Sequence, residues 1–198
     1  NLIKNDFEIM LKSWMSLYQK ASPAISLYFS SVSKQHSLAE GRFIALVQGL
    51  ETYHRNISNE KRMTNEEFEI VVKEVLSSCP DKHKKWLETR INSGNEISLT
   101  QRVKRIIEPF KSYTGGNSSP GKLSYKIATT RNYLTHYNPS YENTSAKGVD
   151  LYKLIILIES LFLLHFLKAI GFDDEKISLI MRKPFNPLRK SIDYAISK

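Results

Sequence analysis

Residues 151–170, LYKLIILIESLFLLHFLKAI, are the most apolar stretch of the chain and limit what it can fold into. At about 1.5 Å per residue, a helix of this length spans about 30 Å, enough to cross a bilayer or to run through the middle of a helical domain. Lys153, Glu159, His165 and Lys168 interrupt the stretch. A carboxylate near its centre costs a few kcal/mol in lipid, so a buried central or dimer-forming helix is expected and no membrane association. Gly171 then stands where a helix commonly stops, and Asp173-Asp174 offers a start for the next one.

The rest of the chain has the same helical character, and strand signals are nearly absent. Ile3, Phe7, Met10, Leu11, Trp14 and Leu17 recur at three- and four-residue intervals, as one face of a helix over 3–20 requires. Residues 38–57 repeat the pattern through Phe43, Leu46, Val47, Leu50 and His54, while 23–32 reads as a short helix or a loop. Thr64 and Glu67 have capping-box spacing ahead of a helix from 65 to about 77, and residues 81–91 form another before Asn92-Ser93-Gly94-Asn95. Ser98 and Gln101 repeat that spacing before Val103, Ile106, Ile107 and Phe110. Residues 114–121, TGGNSSPG, read as a mobile loop tip. No Gly-Lys-Ser/Thr follows a strand there, which argues against a nucleotide-cradling loop.

With 198 residues, 41% of them hydrophobic and 21 of them aromatic, the chain has the bulk for one all-α domain over 1–198. Its core is placed at about 38–170. A start at Asn1 without Met or a secretion signal fits a segment of a longer protein. Cys79 is the single cysteine, which excludes an internal disulfide and fits a reducing compartment such as the cytoplasm. Before Pro80, it reads as a small buried residue rather than a nucleophile.

The net charge of +9 is unevenly spread: 13 basic against 12 acidic residues over 1–99, and 16 against 8 over 100–198. Residues 100–147 carry eight cations (Arg102, Lys104, Arg105, Lys111, Lys122, Lys126, Arg131 and Lys147) against Glu108 and Glu142. Such a segment suits phosphate, although solvated helix faces give the same count.

Within that segment, residues 122–138, KLSYKIATTRNYLTHYN, read as a helix stopped by Pro139, with Leu123, Ile127, Thr130 and Leu134 toward the core. Asn132 and His136 lie one turn apart, and Arg131 about 140° round from His136. Fraying before Pro139 would bring imidazole and guanidinium closer. These side chains suit phosphodiester chemistry in RNA. His136 can move a proton near neutral pH, Arg131 can offer paired donors to phosphate oxygens, and Asn132 can orient either. The nucleophile would be the RNA's own 2′-hydroxyl, leaving 2′,3′-cyclic phosphate and 5′-hydroxyl ends. Taken alone, an Arg with a His five residues on also arises by chance.

Arg131-Asn132-Tyr133-Leu134-Thr135-His136 resembles the Arg, polar, three variable residues, His motif of the HEPN ribonuclease superfamily. With TRNYLTHYNP and GRFIALVQGLETYHRN at 41–56, the chain is similar to the Apea-like branch, found in bacterial anti-phage and abortive-infection proteins. The resemblance implies a helical bundle that dimerises to bring two motifs into one cleft, and a metal-independent endoribonuclease acting on RNA, tRNA included. Arg131, Asn132 and His136 would be catalytic. Glu51 resembles the family's nearby acidic residue and would pair with Arg131, with Tyr137 in support.

Tyr133, like Tyr137, flanks the motif and offers a ring for base stacking, and Arg102, Arg105, Lys122 and Lys126 are candidates for steering RNA. His54 and Arg55 read as a packing histidine and a surface arginine. His36, His83 and His165 lack partners at metal-ligand spacing, so neither metal nor cofactor is expected. The competing readings are a catalytically silent module binding RNA or a partner protein, and a membrane-anchored subunit built on 151–170.

Overall fold

The computed structural model describes residues 6–33 and 38–197, so Ile3 and His36 lie outside the described residues. Nine α-helices and no strand occur among those described: α1 (Phe7–Val32), α2 (Ala39–Ile57), α3 (Asn65–Ser77), α4 (Asp81–Ile91), α5 (Leu99–Ile107), α6 (Ser119–His136), α7 (Gly148–Ala169), α8 (Asp174–Met181) and α9 (Pro187–Ile196). Local chemistry sets their ends. Thr64 accepts from the Glu67 amide while the Glu67 carboxylate accepts from the Thr64 amide, closing the capping box at α3. Gly171 has φ +100°, a conformation that favours glycine, and lets the chain leave α7. Asp173 then accepts from the Lys176 amide at 2.8 Å and caps α8.

Residues 23–32 continue α1 rather than forming a separate piece, across a kink at Ala21 (φ −127°, ψ 21°). Pro23 has no N–H and leaves the helix short of a donor. The Asn56 side chain of α2 braces the kink from outside, donating to the Lys20 carbonyl at 2.6 Å.

The chain divides into two compact units, residues 1–57 with 99–198, and residues 58–98. In the larger unit α7 is central, burying Leu151, Leu154, Ile155, Leu157, Ile158, Leu161, Phe162, Leu164 and Phe166. α2 brings Phe43, Leu46, Val47 and Leu50 into the same core. α1 packs along α2, α6 against α5, and α9 along α7. An aromatic cluster joins α1 to α7, with the Tyr28 and Phe162 rings 5.1 Å apart and those of Trp14 and Phe166 5.5 Å apart. Gly49 admits it, because a Cβ there would sit 3.1 Å from Phe162 Cζ.

Glu159, the charge that argued against a lipid-spanning helix, is half-buried and paired with Arg42 of α2, whose Nε donates at 2.9 Å. No helix among the described residues is long and apolar enough to cross a membrane.

The smaller unit is a hairpin of α3 and α4. The Asn95 side chain closes its base, accepting from the Met63 amide and donating to the Met63 carbonyl, both at 3.0 Å. Lys61 also pairs there with Glu96. Cys79 is half-buried rather than buried.

The segment read as a loop tip, 114–121, is tied down. Gly115 and Gly116 take positive φ, Thr114 and Ser119 are buried with their hydroxyls 3.0 Å apart, and α6 already begins at Ser119.

Candidate functional site

α6 runs from Ser119, with Pro120 in its first turn, to His136. Its apolar side is as the spacing predicts: Ile127 and Thr130 are buried, and Leu123 and Leu134 pack against the core. The helix stays regular through its last turn and does not fray. Tyr137 ends it in the left-handed conformation (φ 48°), and Asn138 accepts from the Ser140 amide at 3.0 Å to open the turn at Pro139.

The chain then folds back along α6 and is fastened at two points. The buried Thr130 hydroxyl accepts from the Ala146 amide at 2.9 Å, and Lys126 Nζ donates to the Ser145 carbonyl at 3.3 Å. Because α7 starts at Gly148, this hairpin joins the motif-bearing end of α6 directly to the first turn of the central helix.

Arg131 and Asn132 are half-buried, and Arg131 Nη1 donates to Asn132 Oδ1 at 3.2 Å. That bond spends one donor and holds the remaining guanidinium edge in a defined direction. His136 is exposed and has no hydrogen-bond partner among the described residues. Since the last turn keeps its helical geometry, Arg131 bonds to Asn132 and not to His136. The rings of Tyr133 and Tyr137 meet edge to face at 5.8 Å, and Lys147 places its ammonium 5.4 Å above the Tyr133 ring. These groups belong to the same end of α6 and the hairpin that follows it, where Lys147 also pairs with Glu142 at 3.1 Å.

Other expected members lie elsewhere or are engaged. Glu51 does not pair with Arg131: it binds Arg55, one turn on in α2, at 3.0 Å, because an i, i+4 partner on its own helix is within reach. Arg102 does not steer ligands from the surface. It is 2% exposed, with Nη1 3.3 Å from Nδ1 of the buried His54, so α5 uses it as an internal group. His54 is a packing histidine, as its spacing suggested. Lys126 is half-buried and bound to Ser145, whereas Arg105 and Lys122 are exposed. No three His, Cys, Asp or Glu side chains gather into a metal-binding group among the described residues.

The model of the Apea-like HEPN family matches residues 44–176, well over half of the chain. The chain belongs to the Apea-like HEPN family. No curated protein and no solved structure shows a significant match. The HEPN match takes in most of α2, all of α3 to α7 and the start of α8, so both resembling blocks fall within it except the first residues of 41–56.

Sequence reasoning missed three features of this HEPN chain. Thr130 fastens the hairpin after the motif, and a hydroxyl at a core-facing position was the available signal. Lys147 sits over Tyr133, although it had been counted only as charge. Arg42 answers Glu159, and an acid in the most apolar helix was itself a request for a cation.

Proposed function

We propose that this HEPN domain is an endoribonuclease with His136 as general acid/base, Arg131 as the phosphate-stabilising group and Asn132 as the residue that orients Arg131. The observation that carries the reading is the Arg131–Asn132 bond one turn before an unpartnered, exposed His136 at the end of a firmly docked helix. In the reaction, the RNA 2′-oxygen forms a bond to phosphorus as the bond from phosphorus to the 5′-oxygen breaks. An imidazole removes the 2′-hydroxyl proton, and a proton is delivered to the departing 5′-oxygen. The Arg131 guanidinium faces the negative charge that builds on the non-bridging oxygens. Tyr133, Tyr137 and Lys147 form the flanking surface for a base and its phosphate, with Lys122 and Arg105 contributing to attraction at longer range.

One chain offers one motif histidine, whereas the reaction needs both an acid and a base. Two copies with their motifs facing each other supply both. Supporting this, Tyr125 on α6 and Val149 and Tyr152 in the first two turns of α7 are exposed large side chains on the two elements the hairpin joins. The proposed setting is anti-phage defence or growth arrest, with RNA, tRNA included, as the target.

The test is incubation of the protein with total RNA in EDTA beside Arg131→Ala and His136→Ala. Cutting by the parent chain and a loss of about a hundredfold or more in each variant supports the assignment. Intact RNA with the parent, or equal cutting by all three, overturns it. RNA retained but uncut would instead support a silent RNA-binding module.

A further inference from the structure

A second polar site lies at the far end of α7 from the motif. There α1, α2 and α7 enclose a solvent-open cavity of about 890 Å³, within the size range of small-molecule pockets. Each helix lines it with residues one turn apart: Lys12, Ser16 and Lys20 on α1, Tyr53, Asn56 and Ile57 on α2, and His165, Lys168 and Ala169 on α7. Three lysines line this space and no carboxylate does. Lys12 and Lys168 have outside partners in Glu8 and Asp174, at 2.6 and 2.9 Å, while Lys20 has no carboxylate within ion-pair distance among the described residues.

The floor adds an independent observation. The Tyr53 ring is packed and the residue only 3% exposed, while its hydroxyl bonds no other described residue and is not itself sealed from the cavity it lines. A phenol that reaches the cavity with its proton uncommitted can donate to an acceptor bound there. Ser13 and Ser16 bring further hydroxyls, and Asn56 is held at the rim by its bond to the Lys20 carbonyl at 2.6 Å. His165 donates its Nε2 proton to the Ile106 carbonyl at 2.9 Å and also lines the cavity.

The geometry points to this cavity as a binding site for a phosphomonoester group, held by Lys12, Lys20 and Lys168 with the Tyr53 hydroxyl donating from the floor. The Ser13 and Ser16 hydroxyls beside the lysines suit a ligand that carries hydroxyls of its own, such as a pentose. The site shares no residue with the motif on α6. The phosphomonoester comes either from a free sugar phosphate or from the 5′ end of an RNA.

The experiment is calorimetric titration of the whole chain with ribose 5-phosphate and, separately, with one short RNA carrying either a 5′-phosphate or a 5′-hydroxyl. Lys20→Gln with Lys168→Gln should weaken phosphomonoester binding about tenfold or more, and Tyr53→Phe, which keeps the packed ring, by roughly three- to tenfold. His136→Ala should leave it unchanged, which separates this site from the proposed nuclease centre. Binding of ribose 5-phosphate identifies a free ligand. Binding only of the 5′-phosphorylated RNA, lost in the same variants, identifies an RNA end. No binding of either at millimolar concentration, equal affinity in parent and cavity variants, or loss with His136→Ala overturns the proposal.

Discussion

Replacing Arg42 by Ala removes the cation from the one carboxylate placed midway along the central helix. Arg42 donates from Nε at 2.9 Å to Glu159, and the two side chains are 21% and 17% exposed. Breaking a fully buried pair costs about 3–5 kcal/mol, and breaking an exposed one about 0–1 kcal/mol. Exposures of this size lie nearer the buried limit, so Arg42→Ala should cost about 2–3 kcal/mol. For a chain of this length, that lowers the melting temperature by roughly 5–10 °C. Glu159 also bears on its neighbour: the Tyr28 hydroxyl is pushed up to about 12, first by burial and then by that carboxylate.

The assay is urea unfolding of the parent, Arg42→Met, Glu159→Met and the double variant, with Arg42→Ala beside them, at one protein concentration. Arg42→Met with Glu159→Met removes both charges and keeps apolar contact, so it should cost less than Arg42→Ala alone, with a coupling energy of about 2 kcal/mol. A loss below about 0.5 kcal/mol in Arg42→Ala, or strictly additive single variants, would refute the reasoning.

Stability should also fall in acid because of His165, whose pKa is lowered to about 4 by burial, with Lys168 and His54 adding to the effect and the Ile106 hydrogen bond opposing it. Between pH 6.5 and about 4 the unfolded chain binds the proton and the folded one does not. The loss therefore begins as pH drops through 6.5, levels off below about 4 and totals at most about 3 kcal/mol. Urea midpoints at several pH values should fall more steeply for the parent than for His165→Gln, and parallel slopes would contradict this. Thr130→Val keeps the shape of the side chain but leaves the buried Ala146 amide without its acceptor, which should cost about 1–3 kcal/mol and reduce RNA cutting together with stability. Thr130→Ser should retain both, and a thermal melt beside the cutting assay distinguishes the two.

Periodicity made most of the helices legible. The capping box at Thr64, the glycine stop at Gly171 and the Asp173 cap are short-range devices, so they appear where the spacing placed them. The continuation of α1 past Pro23 was not legible, because it depends on Asn56, 36 residues away, serving the carbonyl at the kink. For the same reason Arg102 was misread: its helix exposes Lys104 and Arg105 but turns Arg102 inward toward His54, and charge alone carries no information about facing. At the candidate site, the motif and its helix end were readable from residues 122–139. The Glu51–Arg131 pairing was not realised, because a local partner at i+4 is easier to satisfy than one on another helix.

The central claim is transesterification by the RNA's own 2′-hydroxyl with His136 moving the proton. It is tested most directly by mass analysis of the fragments from a defined RNA oligonucleotide, beside a copy carrying one 2′-deoxy substitution at the cut site. The expected result is 2′,3′-cyclic phosphate and 5′-hydroxyl ends from the parent chain, no cutting at the deoxy position, and neither product with His136→Ala. Fragments with 5′-phosphate ends, or undiminished cutting at the deoxy position, would contradict it.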